Sequence, residues 1–156
     1  MTPLNAIARI PGCVLGLRQT ANGTIEEIVF MPPETPLEII TNPVAESFCL
    51  QLEQYRQNPA QRFNLPILAR GTIFQQRVWQ SIRTIPAGQT LNYGEIAVRL
   101  GSAPRAVGQA CGANPFPLVT PCHRVLGKSG MGGFSHATGG WLLDTKRWLL
   151  QHEGAL

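Results

Sequence analysis

The sequence has little that marks an exported, metal-binding or membrane-spanning protein. It has only four cysteines, Cys13, Cys49, Cys111 and Cys122, at no regular spacing and without a CxxC pair. Its three histidines all lie late in the chain and complete no zinc-binding pattern. It also lacks a run of about 18 apolar residues and a charged N-terminal region followed by an apolar stretch. We therefore expect no metal, no membrane contact and a cytoplasmic protein with reduced thiols.

The charges are few and unevenly distributed. The 156 residues are 44% hydrophobic and 14% charged, which suffices for one ordinary domain or two small ones and is not typical of disorder. Residues 1–70 hold five arginines against six glutamates, a net charge of −1. Residues 71–156 hold eight lysines and arginines against three acidic residues, a net charge of +5. This asymmetry favours a polyanionic partner for the second part, the alternative being a basic surface without a partner.

The first part predicts a small α/β unit. Residues 13–18 and 24–30 read as two strands joined at Asn22-Gly23, a favoured hairpin turn pair. A helix is expected to begin at Pro43 and to stop at Asn58-Pro59, with apolar residues at helical spacing between them. Cys49 falls on that apolar stripe and is expected to pack in the core. Residues 59–70 are expected to connect the two parts.

The second part is predicted to be mainly helical. Thr72-x-x-Gln75 is a capping box at the start of a first helix, which ends before Pro86. Residues 142–151 form the last amphipathic helix of the prediction. Between them, Gly127 to Gly133 reads as a mobile glycine-rich loop without the pattern of a phosphate-binding loop. No nucleotide is therefore expected there.

Two short helices in this part form a helix-turn-helix signal. Asn92-x-x-Glu95 opens the first of them, which ends at Gly101, and Pro104 suits the first turn of the second. A three-residue turn that contains glycine is typical of the motif, although many helical hairpins share it. Together with the basic charge and Arg105 at the start of the second helix, it favours a nucleic-acid role.

The run from Thr120 to Val125 carries the strongest chemical signal. Cys122 is followed by His123 and Arg124, so the sulfur has a base and a cation beside it. A free thiol has a pKa near 8.5, and such neighbours raise the fraction that is ionised at neutral pH. If Cys122-His123 is considered without its context, the alternative to a reactive cysteine is an inert structural one.

An ordered set of short motifs extends from about Arg70 to Gly154. It comprises Phe74-Gln75-Gln76-Arg77-Val78-Trp79, Ile85-Pro86-Ala87-Gly88, Tyr93-Gly94-Glu95, Arg105-Ala106-Val107-Gly108, Asn114-Pro115-Phe116-Pro117, Pro121-Cys122-His123-Arg124-Val125 and Trp148-Leu149-Leu150-Gln151-His152-Glu153-Gly154. In this order the motifs resemble the O6-alkylguanine-DNA alkyltransferases, DNA repair proteins that move an alkyl group from a damaged base to their own cysteine.

The resemblance implies a fold and a function. It implies an α/β N-terminal domain, residues 1–66, followed by a mainly α domain, residues 71–156, with a winged-helix-like helix-turn-helix. It implies irreversible, stoichiometric transfer of an alkyl group, chiefly methyl, from O6-alkylguanine in double-stranded DNA to Cys122. No cofactor is implied, because the sulfur displaces carbon directly, and we expect a monomer.

The resemblance also implies roles for individual residues. Cys122 is the nucleophile and His123 its base, acting through a water because the side chains of adjacent residues diverge. Glu153 orients the imidazole, and Asn114 braces the active-site turn. Tyr93 donates a hydrogen bond to the flipped guanine, which makes the base a better leaving group.

A second group of residues is implied to bind the DNA or the base. Arg105 enters the base stack in place of the extruded nucleotide, which offsets part of the cost of unpairing. Pro117 and the Val125 carbonyl line the base pocket, and Ser135 contacts the guanine oxygen. The last two members of the group are Arg124 and Ala106.

The sequence departs from the family pattern in the loop after Ser135. His136-Ala137-Thr138 precede the glycine pair that usually follows the serine closely, which leaves the tolerance for bulky alkyl groups open.

Two other functions also stay open at this point. The first is a lesion-binding relative that does not dealkylate the base, and it is disfavoured because proteins of that class have another residue in place of the cysteine. The second is a cysteine hydrolase, which the basic helix-turn-helix disfavours.

Overall fold

The N-terminal part contains a three-stranded antiparallel sheet. The computed structural model describes residues 2–128, 130 and 140–156. The strands β1 (Leu4–Ile10), β2 (Cys13–Gln19) and β3 (Ile25–Met31) lie in that order in the sheet. The β2–β3 hairpin confirms the prediction, with a positive φ of 90° at Gly23 in its turn. Strand β1 was not predicted, because its register against β2 shifts between Ala6 and Ala8 and so interrupts the two-residue alternation of buried side chains.

The first helix packs on this sheet. α1 (Pro43–Gln57) has the predicted bounds, and the Asn42 side chain caps it by accepting a hydrogen bond from the Ala45 amide at 2.9 Å. Its buried side chains are Ala45, Phe48, Leu52 and Tyr55. The prediction that Cys49 packs in the core is wrong, because Cys49 is exposed. The stripe is narrow, and position 49 lies just beside it on the helix.

The second part is mostly helical, as predicted. Its elements are α2 (Ile73–Arg83), β4 (Leu91–Asn92), α3 (Tyr93–Leu100), α4 (Pro104–Gly112), a 3₁₀ turn (Cys122–Arg124), β5 (Val125–Leu126) and α5 (Gly140–His152). Both predicted capping boxes are formed, at Thr72 for α2 and at Asn92 for α3. The last helix begins two residues earlier than expected. Residues 129 and 131–133 of the predicted glycine-rich loop lie outside the described residues.

The helix-turn-helix consists of α3 and α4. α3 ends at Leu100, and the next residue, Gly101, caps it with a φ of 64°, the left-handed conformation that glycine adopts without strain. Pro104 then opens α4 after a turn of three residues. The Trp79 indole on α2 donates a hydrogen bond to the Ala110 carbonyl at 2.8 Å and so fixes α4 against α2. In the described ranges, no helix combines the length and the apolar character that crossing a membrane requires.

Two hydrophobic clusters form the core, and the segment after Pro121 joins them. The first cluster contains the sheet and α1 together with Phe116, Leu118, Cys122 and Leu149 from the second part. The second contains side chains from α2, α3 and α4, and Val125. The segment from Cys122 to Val125 therefore has side chains in both clusters, and packing on two sides holds it in place.

Candidate active site

The backbone before Cys122 has an unusual and well-specified conformation. Leu118 is buried with a φ of 77°, a left-handed conformation that costs a bulky residue about 1–3 kcal/mol. The Thr120 amide donates to the Phe116 carbonyl at 2.8 Å and closes this turn. The Cys122 amide in turn donates to the Thr120 carbonyl at 2.8 Å. Cys122 is 7% exposed, so it is buried rather than on the surface.

Asn114 connects this turn to the sulfur. Its Nδ2 donates to the Thr120 carbonyl at 2.8 Å and to Cys122 Sγ at 3.2 Å. Its Oδ1 accepts the Phe116 amide at 2.9 Å, which fixes the orientation of the side-chain amide. A hydrogen-bond donor on the sulfur favours the thiolate over the thiol.

The electrostatic surroundings of the sulfur contain opposing influences. Burial raises the pKa of the Cys122 thiol, and the Asn114 hydrogen bond and the positive charge of Lys146 lower it. Burial raises the pKa of the nearby Cys111 thiol to about 12, so Cys111 stays protonated. Within the described part of the chain, a side-chain hydrogen-bond donor reaches Cys122 and none reaches Cys111.

Lys146 is a site residue that the sequence analysis missed. It lies on α5, is completely buried, and its Nζ donates to the Val125 carbonyl at 2.9 Å. Burial lowers the pKa of Lys146 to about 8, while Cys122 and Cys111 act in the opposite direction. Its spacing of four residues from Leu142 and three from Leu149 places it on the buried face of α5, and that spacing was the available signal.

A carboxylate accepts four hydrogen bonds beside the cysteine. Glu153 Oε2 lies 2.8 Å from His123 Nε2, and it also accepts the Tyr55 hydroxyl at 2.7 Å and Arg124 Nη2 at 3.0 Å. Glu153 Oε1 accepts Arg124 Nε at 2.8 Å. Burial by itself would raise the pKa of Glu153, but the bonds from His123, Arg124 and Tyr55 dominate and lower it to about 2.

These contacts define the protonation state of the imidazole. Burial lowers the pKa of His123, against the effect of Glu153, so the ring is neutral at pH 7. An ionised Glu153 can only accept, so the single ring proton of His123 lies on Nε2. The lone pair is then on Nδ1, which is the basic atom. Among the residues that the structure describes, no hydrogen bond joins Cys122 to this ring.

The other predicted site residues lie in three places. Tyr93 is half-buried at the first position of α3, beside the cluster that contains Val125, and Arg105 is exposed in the first turn of α4. Ala106 is half-buried on α4 and Pro117 is buried in the turn before Cys122. Ser135 and the three residues after it lie outside the described residues.

Arg124 was also expected to contact the DNA or the base. Its Nε and Nη2 bind Glu153, and its Nη1 donates to the Ile85 carbonyl at 2.7 Å. All three nitrogens are therefore committed inside the protein, and a DNA contact from Arg124 stays a prediction.

Comparison with known proteins decides the family. The sequence profile described as the DNA-binding domain of 6-O-methylguanine DNA methyltransferase matches residues 73–155. The chain belongs to the 6-O-methylguanine DNA methyltransferase family. The matched range agrees with the resemblance found in the sequence from about Arg70 to Gly154.

Individual methyltransferases support the same assignment. The methylated-DNA–protein-cysteine methyltransferase of Shigella flexneri is 50% identical over 95 residues, which are 59% of this chain and 53% of that protein. The Haemophilus influenzae protein of the same name is 44% identical over 118 residues, 71% of this chain and 62% of that protein. This chain thus spans only about half the length of the first of these methyltransferases.

The fold matches a methyltransferase structure over nearly its whole length. The crystal structure of the Mycobacterium tuberculosis O6-methylguanine methyltransferase aligns with 99% of this chain and 94% of that chain, with a TM-score of 0.77 and 35% identity. The same protein in complex with DNA aligns with 97% of this chain and 92% of that chain, at a TM-score of 0.77 and 34% identity. The N-terminal sheet and α1 therefore belong to the methyltransferase fold although the family profile begins only at residue 73.

Proposed function

We propose that this protein repairs O6-alkylguanine in double-stranded DNA by irreversible transfer of the alkyl group, chiefly methyl, to Cys122. The observation that carries the proposal is the position of Cys122. Its sulfur accepts a hydrogen bond from Asn114, and the neighbouring His123 is paired with an ionised Glu153. Nucleophile, base and orienting acid are the parts that a thiol-dependent transfer requires.

The reaction balances without a cofactor. The Cys122 sulfur attacks the alkyl carbon, a carbon–sulfur bond forms and the bond from that carbon to guanine O6 breaks. The thiol proton passes to His123 Nδ1 through a water, because no direct bond joins the two side chains in the described part of the chain. The departing guanine takes up one proton from the solvent while the His123 imidazolium returns one to it, and Tyr93 assists by donating a hydrogen bond to the base. The thioether is stable, so each molecule acts once.

The charged groups around the sulfur support this chemistry. Glu153 stabilises the imidazolium that forms when the proton arrives, while Lys146 and Asn114 stabilise the thiolate. Arg124 holds both oxygens of Glu153 and keeps it ionised. These are roles for the side chains within the proposed reaction.

The helix-turn-helix is the proposed DNA surface. Arg105 projects from the start of α4, and an added Cβ at Gly108, one turn later, would meet nothing within 4 Å. Small residues on an open helix face let a nucleic-acid backbone approach closely. We propose that Arg105 fills the space left by the extruded base, as the resemblance implies, since a guanidinium can pair with the orphaned base and with phosphates.

The organisation of the chain is part of the same proposal. We assign residues 1–66 to an N-terminal domain and 71–156 to the DNA-binding and transfer domain. We also propose that the protein acts as a monomer, since the proposed reaction requires no group from a second chain. A reducing compartment such as the cytoplasm suits a protein that works through a free thiol.

Intact mass tests the proposal. Incubation with duplex DNA that contains O6-methylguanine should add the mass of one methylene group, once per molecule, and peptide mapping should place it on Cys122. Cys122→Ala should retain DNA binding and gain no mass. Methylation of Cys111 or Cys49, or many turnovers per molecule, would contradict the proposal, and turnover would favour a hydrolase instead.

A further inference from the structure

A residue of the N-terminal part bonds directly to the proposed catalytic acid. Tyr55 lies near the end of α1, is 1% exposed, and donates its hydroxyl proton to Glu153 Oε2 at 2.7 Å across a separation of 98 residues. Burial, followed by the charge of Glu153, raises the pKa of Tyr55 far above its ordinary value. The phenol is therefore a neutral donor throughout the physiological pH range. The matched family segment, residues 73–155, does not include Tyr55.

The position of this hydroxyl is fixed from several sides. The ring of Tyr55 packs against Phe63, with centroids 5.5 Å apart, and lies edge-to-face with His152, with centroids 5.0 Å apart. His152 Nε2 donates to the Tyr55 carbonyl at 2.8 Å, which ties the backbone of α1 to the end of α5. His152 in turn stacks on Trp148 at a centroid distance of 4.8 Å. A donor held in this way has little freedom to leave Glu153.

We propose that Tyr55 is a positioning residue of the active site, through which the N-terminal part sets the orientation and the hydrogen-bonding strength of Glu153 toward His123. The inference rests on the proposed function, because it concerns the acid of that site. Tyr55 and His123 share the same oxygen, Oε2, so they compete for its electron density. A stronger bond from the phenol weakens the bond to the imidazole, and a missing phenol strengthens it.

The direction of the effect on His123 follows from this competition. Glu153 raises the pKa of His123, whereas burial, Arg124 and Lys146 lower it. Tyr55 adds no charge and acts only through Glu153. Removing the hydroxyl leaves Oε2 with more charge for the imidazole, so the pKa of His123 should rise. The carboxylate also loses one of the donors that fix its rotation, so the imidazole should be less well oriented for transfer.

Tyr55→Phe removes only the hydroxyl and keeps the ring contacts. We expect transfer from methylated duplex DNA and from free O6-benzylguanine to slow by about tenfold each, the loss of one hydrogen bond to a charged group. DNA affinity should not change. The pH profile of transfer and the NMR titration of His123 should both shift to higher pH. Leu52→Val, a buried change one turn earlier on α1, is the control for lost stability and should move neither profile.

Two further variants make the result decisive. In a Glu153→Gln background, Tyr55→Phe should cause little additional shift in the titration of His123, because the carboxylate charge through which it acts is gone. Replacing Tyr55 by 3-fluorotyrosine makes the phenol a stronger hydrogen-bond donor, so the titration of His123 should shift to lower pH. This variant tests the inference even if Tyr55→Phe does not fold. The inference is overturned if the titration of His123 is unchanged both in Tyr55→Phe and in the 3-fluorotyrosine protein. It is also overturned if Leu52→Val, at the same melting temperature as Tyr55→Phe, shows the same loss of rate. The His123 titration needs no substrate, so it reads the link to Tyr55 even if methyl transfer to Cys122 is absent.

Discussion

Asn114 and Cys122 are joined by a hydrogen bond of 3.2 Å from the side-chain amide to the sulfur. The same amide group is held at both ends, because its oxygen accepts the Phe116 amide and its nitrogen also donates to the Thr120 carbonyl. The donor therefore points at the sulfur before any substrate arrives. Preorganised donors of this kind favour a developing or existing negative charge without reorganisation.

Replacing Asn114 by aspartate should slow methyl transfer to Cys122, although the two side chains have nearly the same size. Asn114→Asp keeps the shape but puts a carboxylate oxygen where a donor was, so it repels the thiolate and raises the pKa of Cys122 further. We expect methyl transfer to slow by about ten- to a hundredfold, the effect of one hydrogen bond to a charged group. Asn42→Asp, the same chemical change at the cap of α1, should leave the rate unchanged because aspartate caps as well. A rate equal to wild type for Asn114→Asp would show that the amide serves the turn alone.

Glu153 should make the free energy of unfolding depend on pH in the acidic range. Its pKa is lowered from 4.5 to about 2 in the folded protein. A carboxyl whose folded pKa is depressed stabilises the fold above its unfolded pKa, and this contribution is lost as the pH falls through the folded pKa. The stability advantage of wild type over Glu153→Gln should therefore be full above about pH 5, on the order of 3 kcal/mol, and should shrink between about pH 5 and 2.

Denaturant unfolding across this pH range measures the Glu153 effect. Glu53→Gln, which changes an exposed carboxylate on α1, should alter the free energy of unfolding by less than about 0.5 kcal/mol. A difference between wild type and Glu153→Gln that is constant from pH 7 to 2 would contradict the ion-pair account.

Arg105 and Tyr93 should separate extrusion of the base from the transfer itself. Arg105→Ala should slow repair within duplex DNA by about tenfold or more, because unpairing costs a few kcal/mol that the guanidinium partly offsets. It should leave the reaction with free O6-benzylguanine nearly unchanged. Tyr93→Phe should slow both reactions, because its donor acts on the leaving base. Arg62→Ala, at an exposed arginine of the connecting segment, is the control, and equal losses on both substrates for Arg105→Ala would assign it to folding or to the pocket.

DNA affinity should depend on salt through the basic second part. Each phosphate contact contributes a slope of about −0.9 in log affinity against log salt, and we expect about three to five contacts. Arg99→Ala, on the exposed side of α3, should reduce the magnitude of the slope by about one contact. Arg56→Ala on α1 should not change it. A slope that responds to Arg56 and not to Arg99 would place the DNA surface on the N-terminal part.

Local sequence signals determined most of the secondary structure and pointed to Cys122 as the proposed nucleophile. The hairpin at Asn22-Gly23, the capping boxes at Thr72 and Asn92 and the left-handed end of α3 at Gly101 all form as predicted, because each depends on residues within a few positions of one another. The motif around Cys122 likewise identified the family before the fold was known.

The tertiary structure alone decided which distant groups surround the sulfur. Tyr55 reaches Glu153 from 98 residues away, and nothing local to either residue encodes that bond. Lys146 is buried beside Cys122 because α5 turns that face inward, and Cys49 is exposed because the buried stripe of α1 is one position narrower than the sequence pattern indicated. Capping and turn signals are short-range, whereas burial and the pairing of charges depend on how whole elements pack. For that reason the sequence pointed to the proposed nucleophile, base and acid, and only the packing of α1 and α5 showed the tyrosine and the lysine that lie near them.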